Sequence, residues 1–167
     1  MKNSNHSAVK TNIITGIMFV LLLFTDQITK YLVYSHQDSL NPKSIIPNVL
    51  ELQYVENTGA AWGVFSGAKY FFIIITLIAV VLMGIYYLKT QFTPSNLWIH
   101  LSLGLMITGA FGNCMDRVFR GFVVDFIYVS CIHFPVFNVA DMCVCVGAGI
   151  FVIASFLAMS KETNQGE

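Results

Sequence analysis

Two aspartates stand where solvation does not explain a carboxylate. Asp125 lies in Phe122-Val123-Val124-Asp125-Phe126-Ile127, apolar on both sides, and Asp141 lies in Phe137-Asn138-Val139-Ala140-Asp141, where a long apolar run begins. The connection between them contains Pro135 and is long enough to leave and return, bringing both acids to one place. A first-turn position favours the ionised form of Asp141 through the helix dipole, and an apolar surround favours a protonated Asp125. Acids pushed apart in this way divide acid/base work: one carboxylate activates water, and the other protonates a carbonyl or a leaving amine. Two close carboxylates also share one proton and titrate as a pair. A plainer reading makes Asp141 a partner in capping its helix and Asp125 a loop acid, and spacing alone leaves both readings open. No Ser–His or Cys–His arrangement competes; His133 is the nearest candidate base, and no nucleophile is paired with it by motif.

A second polar group closes another apolar run, Gly109-Ala110-Phe111-Gly112-Asn113-Cys114-Met115-Asp116-Arg117. On a helix Asn113, Asp116 and Arg117 fall at i, i+3 and i+4, on one face. Gly109 and Gly112 let another helix or a substrate approach closely. Asp116 reads as half of an interfacial Asp–Arg pair, whereas an uncharged donor at Asn113 and a fixed cation at Arg117 suit a carbonyl or phosphate. Asp26 and Lys30 share a helical face four residues apart, so Asp26 is either that lysine's ion-pair partner or part of a site. Cys114, Cys131, Cys143 and Cys145 lack metal-ligand spacing; Cys143 and Cys145, inside the last helix, read as small packing residues, and a Cys114–Cys131 disulfide is geometrically open.

The elements that must position these groups follow from composition. Of 167 residues 56% are hydrophobic and 11% charged, nine basic against nine acidic, with a mean hydropathy of +0.69. That balance excludes disorder, nucleic-acid binding driven by basic charge, and most soluble enzymes. Four windows approach the roughly 20 apolar residues that span a bilayer. They are 12–34, 70–88, 97–119 and 139–159, and together with a platform at 35–69 they form a single membrane domain over 1–167. Pro94 and Ser95 mark a short turn between the second and third helices, and the polar tail from Ser160 to Glu167 is expected to fray. The apolar run from Ile13 to Phe24 has no small-x-small cleavage site after it, which favours a retained helix over a removed leader. In the platform, Leu50, Leu52 and Tyr54 alternate with Glu51, Gln53 and Val55, the period of a strand, and Asn57-Thr58-Gly59 reads as a turn. Tyr54, Trp62 and Phe65 suit the membrane interface.

Ionisable groups inside membrane helices cost about 2.5–3.5 kcal/mol at the centre, so each needs a reason. Positive charge does not decide orientation: Lys2, Lys10, Lys89 and Lys161 oppose Lys30, Lys43, Lys69, Arg117 and Arg120. The acids are uneven, since all except Glu162 and Glu167 fall on the side away from the termini. That far face is where chemistry is expected.

Asp26-Gln27-Ile28-Thr29-Lys30, Asn57-Thr58-Gly59-Ala60-Ala61-Trp62-Gly63, Gly112-Asn113-Cys114-Met115-Asp116-Arg117, Val123-Val124-Asp125-Phe126 and Phe137-Asn138-Val139-Ala140-Asp141 occur in this order. They resemble the ordered motif set of the bacterial lipoprotein signal peptidases (signal peptidase II) over about residues 12–160, with Trp62 where that family often has Phe. The resemblance implies an all-α integral membrane protein with four transmembrane helices and a small extended, β-like cradle on the periplasmic side, with a helical segment over the site. It implies an aspartyl endopeptidase of the bacterial inner membrane that removes signal peptides from prolipoproteins, cutting before a diacylglyceryl-modified cysteine. Asp125 and Asp141 would be the catalytic pair, and Asp26, Asn57, Asn113, Arg117 and Asn138 the supporting polar shell. Asn57 and Arg117 are expected to hold substrate backbone or lipid carbonyls, and Asn113 and Asn138 to orient the pair. Both termini would be cytoplasmic and the site would face the periplasm. The expected partners are diacylglyceryl-modified prolipoproteins and membrane lipids, with no metal, cofactor or nucleic acid, the chain acting as a monomer. Rival readings are a small ion- or proton-coupled carrier using the same acids, and a structural adaptor. Inverted repeats and broken mid-membrane helices, the usual marks of a carrier, are not visible in the sequence.

Overall fold

The computed structural model of the chain describes residues 2–40, 42–59, 67–91, 93 and 96–165. In chain order the elements are α1 (Lys2–Ser35), α2 (Gln37–Leu40), β1 (Lys43–Ile46), β2 (Leu50–Asn57), α3 (Lys69–Lys89), α4 (Leu97–Phe119), β3 (Val123–Val129) and α5 (Val139–Gln165), with a 3₁₀ turn at Ser130–Ile132 before α5. Among the described residues four helices are long and apolar enough to cross a membrane, over Asn12–Ser35, Lys69–Lys89, Leu97–Phe119 and Val139–Ser160. Each of these spans begins and ends within a residue of its expected window. The polar tail expected to fray instead continues α5 as helix to Gln165. Trp62 and Phe65 of the interface reading, and the Pro94–Ser95 turn, lie outside the described residues.

The fourth helix is the hub: α4 packs on α1, α3 and α5, and its buried positions run from Ile99 to Asp116. No residue of α3 is buried, so that helix is peripheral and presents apolar side chains such as Ile74, Ile78 and Leu82 outward. Close approach of α4 and α5 depends on glycine. A Cβ at Gly109 would overlap the Ala140 carbonyl oxygen, and one at Gly147 would come within 2.8 Å of the Ser102 carbonyl oxygen. The small-residue seam expected at Gly109 and Gly112 is therefore a real contact, which in lipid stabilises by backbone-to-backbone packing.

The cradle is a three-stranded antiparallel sheet in the order β1-β2-β3. Its third strand lies beyond the platform expected at 35–69, and it shows that Asp125 is a strand residue rather than a loop acid. Val123–Val129 is apolar apart from Asp125 and Tyr128, a run that periodicity alone does not assign to strand or helix. Tertiary pairing settles it: Leu50 pairs with Val129, Val55 with Asp125 and Asn57 with Val123, the register shifting by a bulge between Leu52 and Val55. Gly121, at φ 93°, makes the turn from α4 into this strand, and the Arg120 and Gly121 amides both donate to the Asp116 carbonyl. Val124 and Phe126 point to a core with Val33 of α1, so the period-two alternation of β3 turns Asp125 to the opposite face. One extended chain thus anchors the sheet on the bundle and presents an acid away from it.

Candidate active site

Five of the seven residues expected at a site, Asn57, Asn113, Arg117, Asp125 and Asp141, line one cavity of about 250 Å³. Val123, Pro135, Phe137 and Cys145 supply apolar parts of its wall. The cavity lies where the ends of α4 and β2, the strand β3 and the start of α5 converge. Asp26 and Asn138 are not among its lining residues; both are buried behind it.

Local sequence explains how Asp141 is presented. Asn138 Oδ1 accepts the Asp141 amide at 3.0 Å, and Asp141 Oδ2 accepts the Asn138 amide at 3.1 Å. This reciprocal box satisfies two of the orphan donors at the start of α5. A third, the Ala140 amide, donates to Asp26 Oδ1 at 2.9 Å, so an acid from α1 completes the cap. The plainer reading of Asp141 as a cap partner is thus correct as far as it goes. It does not exhaust the residue, because Asn113 Nδ2 donates to Asp141 Oδ1 at 2.7 Å and the carboxylate still borders the cavity.

Asp125 is only 2% exposed and is held from two directions. Asn57 Nδ2 donates to its Oδ2 at 2.9 Å and Asn138 Nδ2 to its Oδ1 at 2.6 Å. Asn57 thereby grips the acid, where the sequence reading had it holding substrate; its Oδ1 also accepts the Gly59 amide at 2.9 Å, fixing the turn after β2. Burial, followed by the nearby charge of Asp141, pushes the Asp125 carboxyl up to about 7, against the opposing pull of the Asn57 and Asn138 hydrogen bonds. Asp125 therefore titrates near neutrality.

Arg117 extends over the cavity. Its Nη2 donates to the Gly59 carbonyl at 2.9 Å, and its guanidinium carbon sits 4.8 Å from the centre of the Phe72 ring of α3. Its Nε is buried with no hydrogen-bond partner among the described residues. Asp116 is half of an Asp–Arg pair as read, with Arg120 rather than Arg117 as its partner. It binds Arg120 one turn on and Lys30 of α1 at 3.0 Å. The Asp26–Lys30 ion pair read from its i, i+4 spacing is present at 2.9 Å, whereas the same spacing of Asp116 and Arg120 was the available signal for a pair that sequence reasoning missed. The four cysteines are free thiols; Cys114 and Cys143 are buried, and Cys131 and Cys145 exposed.

Four membrane-length helices that carry a built cavity with two carboxylates and three side-chain amides around it define a polytopic membrane protein with an acid/base site. The profile of the signal peptidase (SPase) II family matches residues 18–157. The lipoprotein signal peptidase of Bacillus velezensis is 38% identical over 151 residues, covering 89% of this chain and 97% of that one. Two bacterial membrane enzymes solved by the in meso method share the fold. One, at 2.3 Å resolution, has a TM-score of 0.77 and 33% identity over 92% of each chain. The other, at 1.9 Å, has a TM-score of 0.75 and 34% identity over 84% of this chain and 91% of that one. The chain belongs to the signal peptidase II family, the lipoprotein signal peptidases, and is a membrane protease.

Proposed function

We propose that the chain is an aspartic endopeptidase that cuts prolipoproteins immediately before a diacylglyceryl-modified cysteine, with Asp125 and Asp141 as the reacting pair. The observation that carries this reading is the placement of both carboxylates on one cavity wall, each held by amide donors. In this reading Asp125 carries the proton and Asp141, in the first turn of α5, is the base. Asp141 takes a proton from water as its oxygen adds to the scissile carbonyl carbon, while Asp125 gives its proton to the carbonyl oxygen. Collapse breaks the C–N bond as Asp141 gives its proton to the amine of the modified cysteine and Asp125 takes its proton back from a hydroxyl of the tetrahedral intermediate. The unpartnered Arg117 Nε offers a donor for a carbonyl of the substrate.

A diacylated substrate is held by the bilayer, and the apolar outer faces of the helices let the enzyme meet it there. We place both termini in the cytoplasm and the cavity toward the periplasm of the inner membrane. The family and the gathering of acids at the sheet end of the bundle support this orientation. We take the chain to act as a monomer whose partners are the lipidated precursors and the surrounding lipid. The test is cleavage of a lipidated and an unlipidated precursor by the purified protein and by Asp125→Asn and Asp141→Asn. Only the lipidated precursor should shift on a gel, and neither variant should cut it; undiminished cleavage by either variant sinks the pair.

A further inference from the structure

Lys30 lies outside the cavity and is completely buried behind it. Its ammonium meets three acceptors: Asp26 Oδ2 at 2.9 Å, Asp116 Oδ2 at 3.0 Å and Asn113 Oδ1 at 2.8 Å. Three acceptors match the three N–H donors of an ammonium, which leaves Lys30 no proton to exchange with water or substrate. Its ionic surroundings are balanced as well, because Asp26 and Asp116 are matched by Lys30 and Arg120. The through-space pull of Lys30 on Asp125 is the smallest of the influences on that acid, so a larger and directional effect on the reacting pair has to pass through a contact.

That contact is Asn113. An amide side chain has an acceptor end and a donor end and can turn over at little cost when nothing distinguishes them. Here Oδ1 faces the ammonium and also accepts Asn138 Nδ2 at 3.2 Å, while Nδ2 faces Asp141 Oδ1 at 2.7 Å. Turned over, Asn113 would set an NH₂ against an ammonium and an oxygen against a carboxylate, both repulsive. Resting on the aspartic-protease reading above, we infer that Lys30 is a positioning residue for cleavage. It locks Asn113 in the one orientation that donates to Asp141, and so fixes which Asp141 oxygen faces the cavity. The chain of contacts runs from α1 through α4 to α5, and Lys30 never touches substrate.

The test is a double-mutant cycle in the purified full-length protein, read as kcat and KM on a lipidated precursor. Asp26→Asn combined with Lys30→Met removes the ammonium and leaves Asp116 paired with Arg120, keeping the buried cluster neutral. This variant should lose about 10-fold or more in kcat, the scale of a misplaced reacting group, with KM within about 2-fold. Asn113→Ala should lose a similar factor, and the combined variant should be no worse than the poorer of the two. Losses that multiply, or a change confined to KM, overturn the inference. Lys30→Gln, which keeps a neutral donor, is the second variant; it should lose less kcat and show the same non-additivity. Failure of both Lys30 variants to fold makes the residue structural and also ends the proposal. Asp125→Asn serves as the control that separates the two readings. If it still cuts, the aspartic mechanism is wrong, whereas if it is inactive and the cycle multiplies, only the role of Lys30 is wrong.

Discussion

Asn138 donates through Nδ2 to Asp125 Oδ1 at 2.6 Å, so the residue that caps α5 also grips the acid on β3. The same side chain therefore ties helix stability to the geometry of the two carboxylates, and substitutions can separate the two tasks.

Asn138→Ala should remove both, lowering the thermal midpoint in detergent by the equivalent of about 0.5–2 kcal/mol, the usual value of an N-cap, and reducing cleavage. Asn138→Ser keeps a capping oxygen but lacks an amide donor for Asp125. It should retain most of the midpoint and still lose activity. A serine variant as active as the parent would show that the hydrogen bond to Asp125 is idle.

The pH profile of kcat should fall on its alkaline side near 7, where Asp125 loses the proton it must give to the carbonyl. The Asn57 hydrogen bond favours the charged carboxylate, so Asn57→Ala should move that limb to higher pH. A limb that stays in place or moves down would remove Asn57 from the titration of Asp125.

Stability should respond to the same group with the opposite benefit. Native Asp125 holds its proton up to about 7, whereas the unfolded chain releases it near the ordinary 3.8. Its contribution is then fully present below the lower value and is lost progressively as pH rises to the higher one. Asp125→Asn should be stabilised relative to the parent by a margin that grows between those two pH values and is flat above them. Thermal midpoints of both proteins across that range measure this margin.

The glycines divide by what surrounds them. Gly109→Ala must displace the Ala140 carbonyl, and a Cβ at Gly112 would come within 2.7 Å of Asp26 Oδ2. Each should cost about 1–3 kcal/mol by overpacking. Gly84 has nothing within 4 Å of an added Cβ, so Gly84→Ala should be neutral or stabilising by up to about 1 kcal/mol through helix propensity. Equal effects at Gly84 and Gly109 would contradict the close seam between α4 and α5.

Arg117→Lys keeps the charge but loses the planar fork that reaches Gly59 and stacks on Phe72. Cleavage of a lipidated precursor should drop about 10-fold or more while the protein remains folded, and a fully active lysine variant would reduce Arg117 to a point charge.

By itself the sequence determined the four spans, because a bilayer demands a minimum length of apolar helix and only four stretches meet it. It also marked Asp125 and Asp141, since a carboxylate in apolar surroundings is too costly to be incidental. The Asn138–Asp141 cap was legible for the same local reason, its partners being three residues apart. Only the tertiary structure decided that residues 123–129 form the third strand, because an apolar run becomes a strand by pairing with a distant partner, here Leu50–Asn57. It alone decided that Asn57 holds Asp125 from 68 positions away and that Lys30 holds Asn113 from 83. Residue type limits which hydrogen bonds are possible, but the approach of α1, α4 and α5 selects among them. That approach is set by glycines at contacts of a few ångströms, a scale that sequence spacing does not record.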